Sequence, residues 1–293
     1  MTEVATSATP EQLLVIIDPV ARRVDSESAR IAKDVLSAGA ATKVCLPDGP
    51  EEFARMLARR GSRRPVVVGD DRALVRAVSL LHRQRDLAGC VLSLVPVGAG
   101  SGVLSLARSL GVPTGTVAAA RAVLEGAERR LDLLVDDSDG VVVGAVGIPP
   151  LPGRHTAPEG ATAVSRPWLR SCQSLVRTLV PSRPARVATA APPGPTGPAR
   201  LRVEVDGRTL VDLGQPLTAI SVTPGPSGLA EVEARPLSVG AEATPLRAEG
   251  RTVTVTGPAF HYSADTQVTG PVRRRTWTVS EGALGLMVPV PAG

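Results

Sequence analysis

The sequence predicts an α/β fold followed by an all-β region: a doubly wound parallel sheet first, then an antiparallel β-sandwich. Three observations predict it. Short apolar runs alternate with helical stretches of 10–15 residues from Leu13 to about Gly147, the signature of strand–helix–strand units. Pro and Gly then dominate up to residue 199, which reads as loop and linker. From Leu201 the apolar period changes to two, as in half-buried strands. The chain has 293 residues, and at roughly 100–200 residues per domain that suggests two. The boundaries expected are 1–147 for the α/β domain and 148–293 for linker plus β-sandwich.

The elements follow in order. LLVIID (Leu13–Asp18) is a β-rich run stopped by Pro19, and Ser26 to Ala38 has helical spacing with Ile31, Val35 and Ala38 on one face. TKVCLP is the second strand, and Pro50 to Arg60 the second long helix, with Phe53, Met56 and Leu57 inward. PVVVGD (Pro65–Asp70), the helix Ala73 to Gln84, and CVLSLVPVG (Cys90–Gly98) continue the alternation. Leu104–Leu110 and Thr116–Gly126 are helical, and RRLDLLVDD is a strand. Residues 148–167 read as a loop excursion, Trp168–Leu179 as an amphipathic helix, and 181–199 as a Pro-rich linker. LRVEVDGRTLVDL is a hairpin around Asp206–Gly207. ISVTP, AEVEARPL, RTVTVTG, RRTWTVS and LGLMVPV are strands.

Composition narrows the function classes. Hydrophobic residues make up 43% and charged residues 21%, an ordinary globular balance that excludes wholesale disorder. The aromatics are only Phe53, Trp168, Phe260, Tyr262 and Trp277, which argues against a base-stacking surface. The net charge is +5, which admits an anionic partner: a nucleotide, a phospholipid or a nucleic acid. Lys33 and Lys43 are the sole lysines amid many arginines, the codon bias of a GC-rich, bacterial genome. Cys45, Cys90 and Cys172 lie far apart in no CxxC or Cys/His frame. They fit a reducing cytoplasm rather than disulfides or zinc. The N-terminus lacks a signal-peptide pattern. The longest uncharged stretch, Leu87 to Ala107, contains Pro96 and four glycines, so no integral membrane segment is expected. His82, His155 and His261 show no catalytic or ligand spacing, and no G-x-S-x-G frame supports a hydrolase.

Ligands of doubly wound sheets bind beyond the carboxyl ends of the strands. That makes Asp18–Arg23, Gly69–Arg72 and Gly98–Gly102 the candidate rim. Gly69, Asp70, Arg72, Gly98, Gly100 and Ser101 are the candidate ligand contacts, although Asp70 also suits a helix cap. Arginine clusters at Arg22–Arg23, Arg59–Arg60, Arg63–Arg64 and Arg129–Arg130 suit helix ends and loop edges. The triplet Arg273, Arg274 and Arg275 lies in a strand, where alternation turns at least one arginine inward unless both faces are polar. An anion or a nucleic-acid backbone is the ligand class such a triplet suits.

PVGAGSGVLSLARSLGVP (Pro96–Pro113) is similar to the PLGTGNDFARxLGIP segment of the diacylglycerol and sphingosine lipid kinases, whose nucleotide-binding half has the NAD-kinase-like fold. Ala119–Asp137, Val66–Leu74, Ile17–Arg23 and His261–Pro289 resemble further segments of that family in the same order. The resemblance implies the NAD-kinase-like sheet, ATP and Mg²⁺ as cofactors of an active kinase, a C-terminal segment returning to the cleft, and a homodimer. The motif letters differ, however. The family's Gly-Gly-Asp-Gly-Thr reads Val68, Gly69, Asp70, Asp71, Arg72 here, so Asp71 brings a side chain and a negative charge to a phosphate-facing position. Gly-Thr-Gly-Asn-Asp reads Gly98, Ala99, Gly100, Ser101, Gly102. Asp-Gly-Glu reads Asp265, Thr266, Gln267, and an amide cannot take a proton as a carboxylate does. The expectation is a pseudokinase that binds an anionic ligand. An active lipid kinase using Asp70 and Asp265, or a DNA-binding protein using the arginine faces, are the alternatives.

Overall fold

Asp18 stops the first strand and starts a helix, and the same device recurs along the first half of the chain. β1 (Gln12–Ile17) runs into α1 (Pro19–Val24), whose N-cap Asp18 accepts from Val20 N. Asp25 ends α1 and caps α2 (Ser26–Gly39). β2 (Ala41–Cys45), α3 (Pro50–Ala58), β3 (Arg64–Gly69), α4 (Asp71–Arg83) and β4 (Val91–Pro96) follow, with Asp70 capping α4. The structure, a computed structural model, describes residues 12–100, 102–149, 199–238 and 244–290. All of them belong to one compact unit. The helix expected over Trp168–Leu179 and the Pro-rich stretch up to residue 198 lie outside the described residues.

The first four strands pair in parallel in the order β2-β1-β3-β4. Continuous apolar runs suit strands covered on both faces, and helices do cover both. Leu14, Ile16, Leu92 and Leu94 pack with Phe53 and Leu57 of α3 and Leu74, Val78 and Leu81 of α4. Leu13, Val15, Val66 and Val68 face the other way, onto Ala29, Ala32 and Leu36 of α2 and Ala119, Ala120 and Val123 of α6 (Thr116–Glu125). Alanines let these helices approach the sheet closely, and the β-branched strand residues fill the pleat.

The antiparallel strands are β5 (Ala127–Asp136), β6 (Val141–Val142), β7 (Val146–Ile148), β8 (Arg202–Val205), β9 (Arg208–Val211), β10 (Leu217–Pro224), β11 (Ala230–Pro236), β12 (Leu246–Gly250), β13 (Thr252–Ala264) and β14 (Gln267–Val288). Their inward faces bury Val203, Val205, Ile220, Val222, Val232, Val253, Val255, Tyr262 and Trp277 together. β8 and β9 form the hairpin around Asp206–Gly207, both at positive φ. The sheet is continuous and mixed, in the order β12-β11-β10-β7-β13-β14-β4-β3-β1-β2, with β5, β6, β8 and β9 branching from it. β14 joins its two parts. It pairs antiparallel with β13 and β5 and parallel with β4, through Gly285–Val91 and Leu286–Leu92. β14 is one strand where the sequence suggests two, because the turn-like Glu281–Gly282 step is a bulge: the register against β5 shifts between Ser280 and Leu284, and Gly282 has φ +56°. No described helix is long and apolar enough to cross a membrane.

Candidate functional site

The strand order reverses at β1, which lies between β2 and β3, and in open α/β sheets such a switch point makes the carboxyl ends of β1 and β3 the candidate site. The turns that leave these strands are tied to one another. Asp18 N donates to Val68 O at 2.9 Å, and Val97 N to Gly69 O at 2.9 Å. Gly69 is required there, because a Cβ would stand 2.7 Å from the Ala73 Cβ and 3.1 Å from the Asp18 Cβ. Asp18 is 2% exposed. Its carboxylate accepts from Val20 N and, at 2.6 Å, from the Arg76 guanidinium, which in turn lies 5.7 Å from the centre of the Phe53 ring.

The structure brings Asp70 and Gly98 together: a Cβ on Gly98 would lie 3.5 Å from the Asp70 Cβ. Asp70 accepts from Ala73 N at 3.0 Å, so its carboxylate caps α4. Arg72 lies exposed on the first turn of that helix. Gly100 has φ +105°, a conformation that favours glycine. Ser101 lies outside the described residues.

Asp71 is where the structure corrects the sequence reading most. Its carboxylate does not point at the rim as the motif position suggests. It is 3% exposed and turned onto α5 (Ser105–Ser109), accepting from Leu106 N at 2.8 Å and Ala107 N at 2.9 Å. Burial pushes its carboxyl above the usual range, against the pull of those two N–H groups and with the Asp70 charge adding to the rise. The chain's own backbone thus solvates the Asp71 charge.

Asp265 sits in the two-residue turn between β13 and β14 with φ +50°. Its side chain accepts from Val143, Gly144 and Ala145 N at 2.8, 2.6 and 3.1 Å, and its own N–H donates to Ala145 O. Burial raises this carboxyl too, opposed by the three N–H donors and reinforced by the charge of Asp71. The two acids are linked through packing as well. A Cβ on Gly144 would lie 2.6 Å from Leu106 Cδ1 and 3.1 Å from Asp265 Oδ1. Gln267, at the last position of that motif, is exposed.

The arginine triplet divides. Arg273 and Arg274 are exposed, whereas Arg275 turns inward. The Arg275 guanidinium donates to Asp137 and Ser138, lies 3.9 Å from Asp136, and stacks 5.8 Å from the centre of the Tyr262 ring. Asp136 also accepts from Ser138 N, Gly140 N and the Tyr262 hydroxyl. This Asp-rich turn was legible only as a strand end. Its partner lies more than a hundred residues away. Among the described residues, no three His, Cys, Asp or Glu side chains converge as a metal-ligand set.

No family model and no curated protein matches the sequence. Solved structures do match over the whole chain. A candidate diacylglycerol kinase from Bacillus anthracis str. Sterne superposes with TM-score 0.66 at 12% identity, covering 98% of this chain and 99% of its own. A further structure of diacylglycerol kinases from the same organism gives 0.65 at 10% identity, covering 97% and 98%. At such identity the likeness carries the fold alone: this chain has the diacylglycerol kinase-like fold.

Proposed function

We propose that this protein is a pseudokinase, a non-catalytic binding or regulatory protein that keeps the lipid-kinase fold and takes an anionic ligand at the carboxyl ends of β1 and β3. The observation that carries this reading is the engagement of all three motif carboxylates by backbone N–H groups. Asp70 caps α4, Asp71 holds the first turn of α5, and Asp265 holds residues 143–145. Phosphoryl transfer is mostly positioning and charge neutralisation by Mg²⁺, and Mg²⁺ demands oxygen ligands in near-ideal octahedral geometry. A general base must present a lone pair to the substrate hydroxyl. Asp71 and Asp265, already accepting two and three backbone N–H groups, suit neither requirement, and Asp70, which accepts one, is spent as a helix cap, so these residues fit a Mg²⁺–nucleotide complex poorly. The glycines at 69, 98 and 100 and the exposed Arg72 still suit an anion.

The test is calorimetric titration with ATP and Mg²⁺, together with a phosphorylation assay on diacylglycerol vesicles and a duplex DNA titration as control. No phosphorylated lipid is expected, with or without heat from nucleotide. Lipid phosphorylation that disappears in Asp265→Asn would establish an active kinase and remove this reading. Binding that follows the DNA, steep in salt and lost in Arg273→Ala/Arg274→Ala, would move the ligand site to β14.

A further inference from the structure

Arg76 is the one charged side chain in the second turn of α4, and two contacts fix its guanidinium. Nη1 donates to the Asp18 carboxylate at 2.6 Å, and the two side chains are 31% and 2% exposed. The guanidinium carbon lies 5.7 Å from the centre of the fully buried Phe53 ring, within reach of a cation–π contact. Asp18 is itself held, because its carboxylate accepts from Val20 N at 2.8 Å and its N–H donates to Val68 O. An arginine gripped by a carboxylate and an aromatic face gives up rotamer freedom before any ligand arrives, which lowers the cost of binding one. One edge of the fork is left over. Among the described residues, neither Nε nor Nη2 of Arg76 has a hydrogen-bond partner. The place is the candidate rim. Asp18 directly follows β1, and a Cβ on Gly69 would stand 3.1 Å from the Asp18 Cβ. Arg72 lies one turn before Arg76 on the side of α4 that faces away from the buried Ala73, Leu74, Ala77 and Val78.

We propose that Arg76 is an anion-binding residue of this rim, and that its Nε–Nη2 edge takes two oxygens of a phosphate or carboxylate group. The proposal deepens the anion-binding reading and rests on it. A planar guanidinium edge matches two oxygens of either group at once. The Asp18 charge is balanced by Arg76, so the pull on an anion comes from the directed N–H groups of the fork and from the charge of Arg72. Geometry therefore matters more than charge at this position. A lysine in place of Arg76 keeps a positive charge beside Asp18, but its compact ammonium has no second edge to offer a ligand while the first stays on the carboxylate.

Calorimetry and NMR of the arginine Nε–H groups on the full chain test this, with inorganic pyrophosphate and succinate as separate probes. The Arg76 signal is identified by its loss in Arg76→Lys. At least one probe is expected to bind the wild type and to shift that signal. The same probe should bind Arg76→Lys at least tenfold more weakly, and Arg83→Lys, at the far end of α4, within twofold of the wild type. The tighter of the two probes tells whether the group is a phosphate or a carboxylate. If the urea midpoint of Arg76→Lys falls, the wild-type Nε–H signal decides alone. An Arg76 signal that stays in place under saturating probe, or equal affinity in Arg76→Lys and the wild type, overturns the role of Arg76. Should the Gly69, Gly98 and Gly100 amides shift in that case, the anion-binding reading still stands. Binding of neither probe overturns both, whereas lipid phosphorylation by the wild type would overturn only the non-catalytic reading, so the failures are distinguishable.

Discussion

Arg273, Arg274 and Arg275 are identical in type and adjacent in sequence, yet burial and partners divide them. The side chain of Arg275 is 12% exposed and is shared among Asp136, Asp137, Ser138 and the Tyr262 ring. Removing one member of a buried charge cluster leaves the others uncompensated, a loss of roughly 3–5 kcal/mol for a fully buried pair. Asp137 is part-exposed, so Arg275→Met is expected to cost about 3 kcal/mol. Arg273→Ala and Arg274→Ala should stay within about 0.5 kcal/mol, as surface changes do. Urea denaturation of the three variants reads this directly. A loss in Arg274→Ala as large as that in Arg275→Met would mean the triplet acts as one structural unit.

At the scale of elements, the junction of α1 and α2 turns on Asp25. Its N–H closes α1 onto Ala21 O at 2.9 Å, and its carboxylate caps α2 through Ser28 N at 3.0 Å. Asp25→Ala should cost about 1 kcal/mol, the usual worth of an N-cap. The Ser28 backbone N–H holds this carboxyl below its ordinary 3.8. A carboxylate with a lowered folded pKa contributes stability in full above its unfolded value and loses it as the pH falls through the folded one. The melting-temperature gap between wild type and Asp25→Ala should therefore be constant near neutrality and narrow below about pH 4. A gap that is unchanged in acid would show that the charge on the cap is irrelevant.

Elements of this kind were legible in the sequence because their causes are local. The apolar runs of β1, β3 and β4, the Pro19 stop of β1 and the Asp–Gly turn of the β8–β9 hairpin all lie within a few residues, whereas α1 was not read at all. What was not legible depends on distant partners. The acceptor role of Asp71 joins residues 35 and 36 apart, and that of Asp265 joins residues 120 to 122 apart. β14 looked like two strands for a related reason. The Gly282 N–H that makes its bulge is held by Asp132 at 2.7 Å, from another strand. The candidate rim follows from position in the fold alone, and the contacts of Asp70, Asp71 and Asp265 emerged only in three dimensions.

At the scale of the whole molecule, β14 belongs to both parts of the sheet, and Gly126 controls how it is seated. A Cβ at residue 126 would lie 2.2 Å from Ala122 O and 2.3 Å from Val288 O. Both are backbone atoms, one in α6 and one at the end of β14, so neither yields without moving its element. Gly126→Ala should cost on the order of 2–3 kcal/mol, as overpacking does. The consequence should be felt far away. The described helices all precede β5 and cover the parallel strands, whereas Trp277 is fully buried in the antiparallel core. If β14 couples the two, helix circular dichroism and Trp277 fluorescence, read in a Trp168→Phe background, will report one coincident unfolding transition. Gly126→Ala should then move both midpoints down together, although its clash lies only at the α6–β5 junction. Separate midpoints, with Trp277 keeping its wild-type value while the helix signal falls, would show that the antiparallel core stands without the parallel strands and that β14 transmits nothing between them.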